Sequence, residues 1–244
     1  MQGLITAAGS GTRTGLNGRF RKEMLPIYHM DSGKIVLRPI VESIYLRMKG
    51  IGIKSIGIVL DPSDSRTIDY VRSYLPDAEI LYQPERRGYG DAVLRASSFI
   101  EDDMFLLNAG DGLLLPQDSY GKLGVPSSEI PVLSVMKVDN PQRYGNASIE
   151  ERSGEKLVTD LLEKPEVPVS NFAICAAYVL PRSIFGMFDQ DSRNVELTPA
   201  IQKLIRSGTE VRAVEFQKSD WISVGVASEY VRILQRSYDS LSVQ

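Results

Sequence analysis

The chain has 244 residues, of which 43% are hydrophobic and 24% are charged, proportions that are typical of a globular protein and exclude a disordered or fibrous one. Its formal net charge of −3 disfavours nucleic acid as a partner, because a phosphate backbone binds a clustered basic surface. A single cysteine, the lack of a leader-like N-terminus and the lack of an apolar run of ~18 residues predict a cytoplasmic protein with no internal disulfide and no membrane partner.

Four short apolar runs in the first half of the chain are typical of buried strands. They cover residues 4–8, 55–60, 79–82 and 104–108. Apolar residues at helical spacing predict three helices between them: one opened by Pro39, one capped by Ser63 or Asp64, and one over residues 91–100. Because strands and helices alternate, we expect right-handed crossovers and a mostly parallel sheet flanked by helices, in a Rossmann-like α/β fold.

The second half of the chain is richer in turns, and its elements follow one another less regularly. Strand-like segments cover residues 131–138, 147–150, 158–163 and 173–180. Helices are predicted over residues 197–205, with Gly208 as the stop, and over residues 227–241. No repeat or flexible linker interrupts the sequence, so we expect a single domain, residues 1–244.

The first predicted strand runs into a turn made of Gly9, Ser10 and Gly11, which is followed by Thr12 and Arg13. In an open α/β sheet, ligands bind where the strands have their carboxyl ends. Glycines in such a turn let backbone N–H groups approach phosphate oxygens, and an arginine adds a bidentate cation. The spacing fits neither a dinucleotide fingerprint nor a Walker A loop. From these residues alone, phosphate binding and a plain glycine turn are equally supported.

Further motifs decide between these alternatives. They are AAGSGTR at 7–13, RKEMLPI at 21–27, QPERRGYGDAV at 83–93, GDGLL at 110–114, LLEKP at 161–165, SNFAICAAYVL at 170–180 and VELTPAI at 195–201. In this order they resemble the motifs of the sugar-1-phosphate nucleotidyltransferases, particularly the glucose-1-phosphate uridylyltransferases and thymidylyltransferases. The resemblance covers nearly the whole chain, which favours phosphate binding at the first turn.

The resemblance implies the nucleotide-diphospho-sugar transferase fold, with a nucleotide-binding half at residues 1–115 and a sugar-binding half at residues 116–244. It implies a reaction in which a sugar 1-phosphate, such as glucose 1-phosphate, attacks the α-phosphorus of UTP or dTTP in line and releases pyrophosphate, with Mg²⁺ as the cofactor. This chemistry needs positioning and charge neutralisation but no covalent protein intermediate. A homo-oligomer is also implied. The length leads us to expect no C-terminal left-handed β-helix.

The same resemblance assigns site residues. The nucleotide site would comprise Ala8, Gly9, Ser10, Gly11, Thr12, Arg13, Gln83 and Gly88, and the catalytic set would comprise Arg13, Lys22 and Asp111. The sugar pocket would comprise Gly145, Glu163, Lys164 and Asn171. Two acidic residues within these motifs are assigned no ligand. We expect Glu23 to pair with a nearby cation and Asp91 to cap a helix.

The metal and sugar motifs depart from the family pattern. Ser223, in the run WISVGV, stands where the family has a second metal-binding aspartate; together with Asp111 it would hold Mg²⁺, but more weakly, because a hydroxyl brings no charge. We expect Asp220 to point to the opposite face of a strand. Ala176 and Ala177 replace a common glycine and a basic residue. Two functions therefore stay open: an active transferase, or a nucleotide-binding regulatory paralogue with little catalysis. Transfer to a non-sugar phosphate is a third.

Overall fold

The computed structural model describes residues 1–11, 15–16 and 20–242 of the chain. Its strands, in chain order, are β1 (Gln2–Thr6), β2 (Pro26–Asp31), β3 (Lys34–Pro39), β4 (Ile56–Leu60), β5 (Ala78–Tyr82), β6 (Met104–Ala109), β7 (Gly112–Leu114), β8 (Val132–Lys137), β9 (Gly145–Arg152), β10 (Glu155–Glu163), β11 (Phe172–Pro181), β12 (Arg212–Phe216) and β13 (Trp221–Ser223). Its helices are α1 (Ile40–Gly50), α2 (Ser65–Tyr74), α3 (Tyr89–Leu94), α4 (Ser119–Lys122), α5 (Leu197–Arg206) and α6 (Tyr230–Ser242). Within the described ranges, no helix has the length and apolar character needed to cross a membrane.

Nine strands form one sheet that crosses both halves of the chain, in the order β5-β4-β1-β6-β11-β8-β12-β10-β9. The first four of these pair in parallel, as the alternation of strands and helices predicts. Beyond β6, antiparallel pairs predominate, and β8 and β12 form a further parallel pair. The expectation of a mostly parallel, Rossmann-like sheet is therefore confirmed for the first half and wrong for the second. There, short turns such as the one between β9 and β10 make consecutive strands antiparallel.

Apolar side chains cover both faces of this sheet. Leu4 and Ile5 are neighbours on β1 and belong to different buried clusters, because successive side chains of a strand point to opposite faces. Helices α1 and α2 contribute to one cluster, and α3 and α5 contribute to the other. The two layers of helices leave the strand ends as the place where polar groups can gather.

A hairpin of β2 and β3 lies between β1 and α1, and the sequence patterns do not indicate it. Its two-residue turn, formed by Ser32 and Gly33, has φ values of 49° and 79°, which are typical of a type I′ hairpin turn. Helix α6 packs against β2, where the rings of Tyr28 and Tyr238 meet edge to face with centroids 5.2 Å apart. The hairpin therefore packs α6, from the second half of the chain, against an element of the first half.

The helix boundaries test the predicted start and stop signals. Asp64, and not Ser63, caps α2, because its carboxylate accepts a hydrogen bond from the backbone nitrogen of Thr67 at 3.4 Å. Gly208 follows α5 with φ 94°, as a helix stop requires. Helix α3 is much shorter than the predicted helix over residues 91–100, since turns replace its second half.

Candidate functional site

A cleft of about 860 Å³ opens at the carboxyl ends of the parallel strands. The predicted site residues that line it are Ala8, Gly9, Ser10, Gly11, Lys22, Gln83, Gly88, Asp111, Gly145, Glu163, Lys164 and Ser223. Asn171 is exposed and is not among the lining residues. Thr12 and Arg13 lie outside the described residues, so their assigned roles stay predictions.

Lys22 and Asp111 form an ion pair inside this cleft, between Lys22 Nζ and Asp111 Oδ2. Lys22 begins a short 3₁₀ helix, and Asp111 lies in the turn between β6 and β7. The backbone nitrogen of Gly110 donates to the carbonyl of Thr6 at 2.8 Å, which holds this turn against the end of β1. Both side chains of the pair are about four-fifths buried, so water screens their attraction less than at a protein surface.

Ser223 lies beside Asp111 because of the small ladder between β7 and β13. In this ladder Ser223 is opposite Gly112, and the backbone nitrogen of Val224 donates to the carbonyl of Asp111 at 2.9 Å. A Cβ on Gly112 would lie 2.4 Å from Cζ2 of Trp221, so only glycine fits under the indole. The structure thus brings together the two residues to which the resemblance assigns the metal.

Asp220 does not join them. It closes a 3₁₀ turn, Lys218–Asp220, where its carboxylate accepts from the backbone nitrogen of Gln217 at 3.0 Å. Asp220 is absent from the cleft lining, as expected, but the reason differs from the predicted one: the residue precedes β13 and does not point to the far face of a strand.

The side-chain oxygens of Asp111 and Ser223 fit a magnesium ion that takes only a few of its ligands from the protein. Mg²⁺ usually takes one or two carboxylates and completes its shell with phosphate oxygens and water. Asp111 offers one carboxylate, and Ser223 offers a neutral hydroxyl from the neighbouring strand. Among the described residues, no group of three or more histidine, cysteine or acidic side chains could hold a metal ion. Any ion would therefore depend on the phosphates of a ligand.

Glu23 is a buried carboxyl next to the pair of Lys22 and Asp111, and only 2% of its surface is exposed. Burial raises the pKa of Glu23 to about 8; the charge of Lys22 opposes this rise and that of Asp111 reinforces it. Its Oε2 atom has no hydrogen-bond partner among the described residues, and the expected ion pair with a neighbouring cation does not form within them. At neutral pH Glu23 is mostly protonated and adds little negative charge to the cleft.

The glycine turn is anchored by Arg21, a buried residue that the sequence analysis does not assign. Its guanidinium donates to the carbonyl of Gly9 at 3.0 Å and pairs with Asp61 at 2.9 Å and with Asp64 at 3.2 Å. Asp61 directly follows β4, and Asp64 caps α2. The turn after β1 is therefore tied to the ends of the neighbouring strand and helix.

Asp61 also reaches the segment that carries Gln83. It accepts hydrogen bonds from the Ser63 hydroxyl at 2.6 Å and from Arg86 at 2.5 Å. Burial alone would raise the pKa of Asp61, but the hydrogen bonds from Ser63 and Arg86 and the charge of Arg21 outweigh burial and lower the pKa to about 2. An acidic residue immediately after a buried strand is the sequence signal that could have identified it.

Gln83 can offer a ligand only one of the two polar atoms of its side-chain amide. Its amide nitrogen donates to the carbonyl of Gly88 at 3.0 Å and to Asp91 Oδ2 at 2.9 Å, which leaves the amide oxygen as the group that can meet a ligand. Gly88, with φ 105°, is the N-cap of α3, and a Cβ there would lie 2.4 Å from the carbonyl oxygen of Val195. The expectation that Asp91 caps this helix is wrong: Asp91 is its third residue and holds Gln83 and Arg95.

The opposite end of the cleft contains the amino acids that are predicted to bind the sugar. Glu163 accepts from the hydroxyl of Thr198 at 2.6 Å and pairs with Lys164 at 2.5 Å. A Cβ on Gly145 would lie 3.2 Å from the Thr198 hydroxyl oxygen, so a small residue keeps this corner open. Thr198, within the VELTPAI motif, is a lining residue that the sequence analysis does not assign. Ala177 is buried in β11, and the side chain of Ala176 is not among those described.

Cations from the end of the chain complete the wall near Ser223. Arg232 and Arg236 of α6 and Lys218 line the cleft. Arg236 donates to the carbonyls of Lys218 and Trp221, each at 2.7 Å, and burial lowers its pKa. Lys218 is itself paired with Asp139 at 2.7 Å, and Asp139 and Glu229 also line the cleft, so cationic and acidic side chains alternate in its lining.

Residues 2–239 match the nucleotidyl transferase family. The chain is 32% identical over 232 residues to the bifunctional protein GlmU of Methanococcus maripaludis strain C5, across 92% of this chain and 51% of that protein. It is 29% identical over 266 residues to UTP--glucose-1-phosphate uridylyltransferase 2 of Staphylococcus saprophyticus, across 94% of this chain and 89% of that protein. The chain spans about half the length of most of the first curated relatives it matches.

Solved structures share the fold. A putative glucose-1-phosphate thymidylyltransferase from Bacillus anthracis, in complex with a sucrose, superimposes with a TM-score of 0.78 at 20% identity and covers 98% of this chain and 96% of that one. A UDP-glucose pyrophosphorylase complexed with UDP-glucose gives a TM-score of 0.76 at 20% identity and covers 100% and 99%. At this level of identity, the likeness supports the mixed α/β fold.

Proposed function

Because the chain belongs to the nucleotidyl transferase family, among the sugar-1-phosphate nucleotidyltransferases, we propose that it joins a nucleoside triphosphate, UTP or dTTP, to a sugar 1-phosphate and releases pyrophosphate. Glucose 1-phosphate is the acceptor we favour, because it stands in the names of the uridylyltransferase and thymidylyltransferase relatives. The relatives named GlmU make other sugars the next acceptors to test.

The observation that carries this proposal is the ion pair of Lys22 and Asp111 between two ends of one cleft. The glycine turn and Gln83 line one end, and Glu163 and Lys164 line the other. A reaction between two phosphates needs a cation where their negative charges meet. Lys22 supplies that cation, and Asp111 keeps it in place until ligands bind.

In the proposed reaction, an oxygen of the sugar phosphate forms a bond to the α-phosphorus while the bond from the α-phosphorus to the bridging oxygen of pyrophosphate breaks. Backbone N–H groups of the glycine turn bind the triphosphate, and Lys22 neutralises the charge around the α-phosphate. Glu163 accepts hydrogen bonds from sugar hydroxyls, and Lys164 contacts the sugar phosphate. Asp111 and Ser223 would hold Mg²⁺, which when bound neutralises phosphate charge as a Lewis acid.

The test is pyrophosphate release by the purified protein. Each common nucleoside triphosphate is incubated with Mg²⁺ and with each of several sugar 1-phosphates, and turnover is expected with UTP or dTTP. Asp111→Ala should abolish it. Lys49→Ala is the matched control, because Lys49 pairs with Asp77 at 3.1 Å outside the cleft and should leave turnover unchanged. No pyrophosphate with any combination would contradict the proposal.

A second function rests on Ser223. A hydroxyl beside Asp111 leaves one protein carboxylate for a metal, and a weak metal site favours a regulatory paralogue that binds nucleotide with little catalysis. Nucleotide binding without turnover across the whole panel would support it. A third function is transfer to the phosphate of an alcohol that is not a sugar. Adding a phosphorylated polyol to the panel of acceptors tests it.

A further inference from the structure

The side-chain amide of Gln83 has a fixed orientation. Gln83 follows β5, lines the cleft and is only 4% exposed. Its nitrogen donates to two groups that can only accept: the carbonyl of Gly88 at 3.0 Å and Asp91 Oδ2 at 2.9 Å. A flipped amide would place its oxygen against both acceptors and would lose both hydrogen bonds. The amide oxygen is therefore the atom that Gln83 can offer to a ligand.

The carboxylate of Asp91 is itself fixed in position, by burial and by hydrogen bonds from Arg95. It is 1% exposed, and a buried carboxylate keeps its charge only where other groups compensate it. Arg95, one turn further along the chain, donates to Asp91 Oδ1 from Nη2 at 2.8 Å and to Oδ2 from Nε at 3.4 Å. The Arg95 side chain is about one-third exposed and does not line the cleft; it lines a second, smaller pocket together with Asp91 and Arg87. Both oxygens of Asp91 thus accept hydrogen bonds, and one side of the carboxylate faces Gln83.

We propose that Asp91 is a positioning residue for base selection, which rests on the proposed function: by orienting Gln83, it makes the site accept uracil or thymine and reject cytosine. Uracil and thymine carry a hydrogen on ring nitrogen N3, which can donate to the Gln83 oxygen. Cytosine carries a lone pair at N3, which that oxygen repels. Asparagine at position 91 would offer Gln83 either an oxygen or an N–H group, so that only the Gly88 carbonyl would still favour the original orientation. The amide could then turn and present its N–H group to N3 of cytosine.

The experiment compares the dissociation constants of UTP and CTP, each with Mg²⁺, by isothermal titration calorimetry. The wild-type protein should bind UTP at least tenfold more tightly than CTP. In Asp91→Asn this preference should fall at least tenfold, chiefly through tighter binding of CTP. A role of Asp91 in folding alone would weaken both nucleotides equally and leave the ratio unchanged, and that result would overturn the inference.

Asp160→Asn is the matched control. Asp160 accepts from the amide of Gln202 at 2.8 Å and lies 3.9 Å from Arg206, so it has the same kinds of partners, but it does not line the cleft. Its substitution should leave the ratio of UTP to CTP affinity unchanged. An equal loss of preference in this control would mean that the effect does not act through Gln83, and would also overturn the inference.

A double variant covers the case in which Asp91→Asn unfolds because Arg95 loses its partner. Asp91→Asn with Arg95→Gln leaves no unpaired charge and should show the same fall in preference. Wild-type protein that binds neither nucleotide would contradict the proposed function as well. Wild-type protein that binds CTP as tightly as UTP would contradict this inference alone.

Discussion

The two ends of the cleft are built differently. At the nucleotide end, Arg21 and Asp61 each have side chains only 9% exposed, and Asp91 is buried against Gln83. At the acceptor end, the Lys164 side chain is 54% exposed and pairs with Glu163, its neighbour in sequence. The first end is held by several buried contacts between elements that are far apart in the chain. The second is held by a more exposed ion pair between adjacent residues and by one hydrogen bond from Thr198 of α5 to Glu163.

The nucleotide end of the cleft is the more rigid of the two before a ligand binds. Buried, fully paired groups lose little freedom on binding, so the nucleotide end is organised in advance. The segment after Lys164 exposes Val167 by 81% and Val169 by 49%, although both are apolar. We therefore expect base selection to be strict and acceptor selection to be more tolerant.

The largest effect should come from the residue that joins the two ends. Lys22→Ala removes the cation between the two phosphates, so kcat should fall by about 10³-fold. Steady-state pyrophosphate release measures it, and a circular dichroism spectrum like that of the wild type shows that the fold is retained. A loss of less than tenfold would place the reacting phosphates elsewhere in the molecule.

The next largest effect should be on the stability of the nucleotide end. Asp61→Asn removes one of the two buried counter-charges of Arg21, with Asp64 as the other, so the free energy of unfolding should fall by about 2–4 kcal/mol and Tm by roughly 5–10 °C. Asp77→Asn is the control, because its pair with Lys49 is exposed and should shift Tm by less than about 2 °C. Equal shifts would mean that the buried network is not what rigidifies this end.

The same residue predicts a dependence on pH. The folded-state pKa of Asp61 is lowered from 3.8 to about 2, so its stabilising contribution is complete above pH 3.8 and is lost as the pH falls through about 2. As the pH is lowered through this range, the Tm of the wild type should therefore fall more steeply than the Tm of Asp61→Asn. Parallel curves for the two proteins would contradict the assigned ion pairs.

A smaller effect is expected at the acceptor end. Glu163→Gln keeps the shape of the side chain but removes the charge that accepts from sugar hydroxyls, so KM for the sugar phosphate should rise about tenfold. Because Glu163 is paired with an exposed lysine, Tm should change by no more than about 2 °C. A large fall in Tm with an unchanged KM would show that this end is as rigidly built as the other.

The smallest effect concerns Ser223. Ser223→Asp adds a second carboxylate beside Asp111, so the Mg²⁺ concentration for half-maximal turnover should fall about threefold to tenfold, whereas Ser223→Ala should change it little. The measurement is a Mg²⁺ titration of the initial rate. An unaltered Mg²⁺ dependence in Ser223→Asp would mean that another oxygen already completes the metal site.

The sequence predicts the parts of this site that lie at strand ends. Gly9, Gln83 and Asp111 each follow a strand with an apolar run, and the parallel order of those strands brings them to one cleft. Asp61 also follows a strand, but its ion-pair partners, Arg21 and Arg86, are 40 and 25 residues away in sequence, and no local pattern identifies contacts of that kind. The sequence does not reveal the role of Asp91, because both Asp91 and Gly88 lie at the start of α3 and both residue types are common helix caps.

The fold shows the same limit. Strands β1, β4 and β6 are buried, as their apolar runs predict, whereas β5 lies at the edge of the sheet and is partly exposed. The β2–β3 hairpin and β12 also have partly exposed residues, and their sequence patterns are weaker. The hairpin depends on a two-residue turn and on α6, which arrives from the far end of the chain. Tertiary packing, and not local preference, determines those elements.

The fate of the phosphates tests the central claim most directly. The protein is incubated with Mg²⁺, a sugar 1-phosphate and UTP carrying a radioactive label on either the α- or the γ-phosphate. The account predicts that the α label appears in the sugar nucleotide and the γ label in pyrophosphate, and that Lys22→Ala loses both products together. A γ label found in free phosphate or on the sugar would contradict attack at the α-phosphorus.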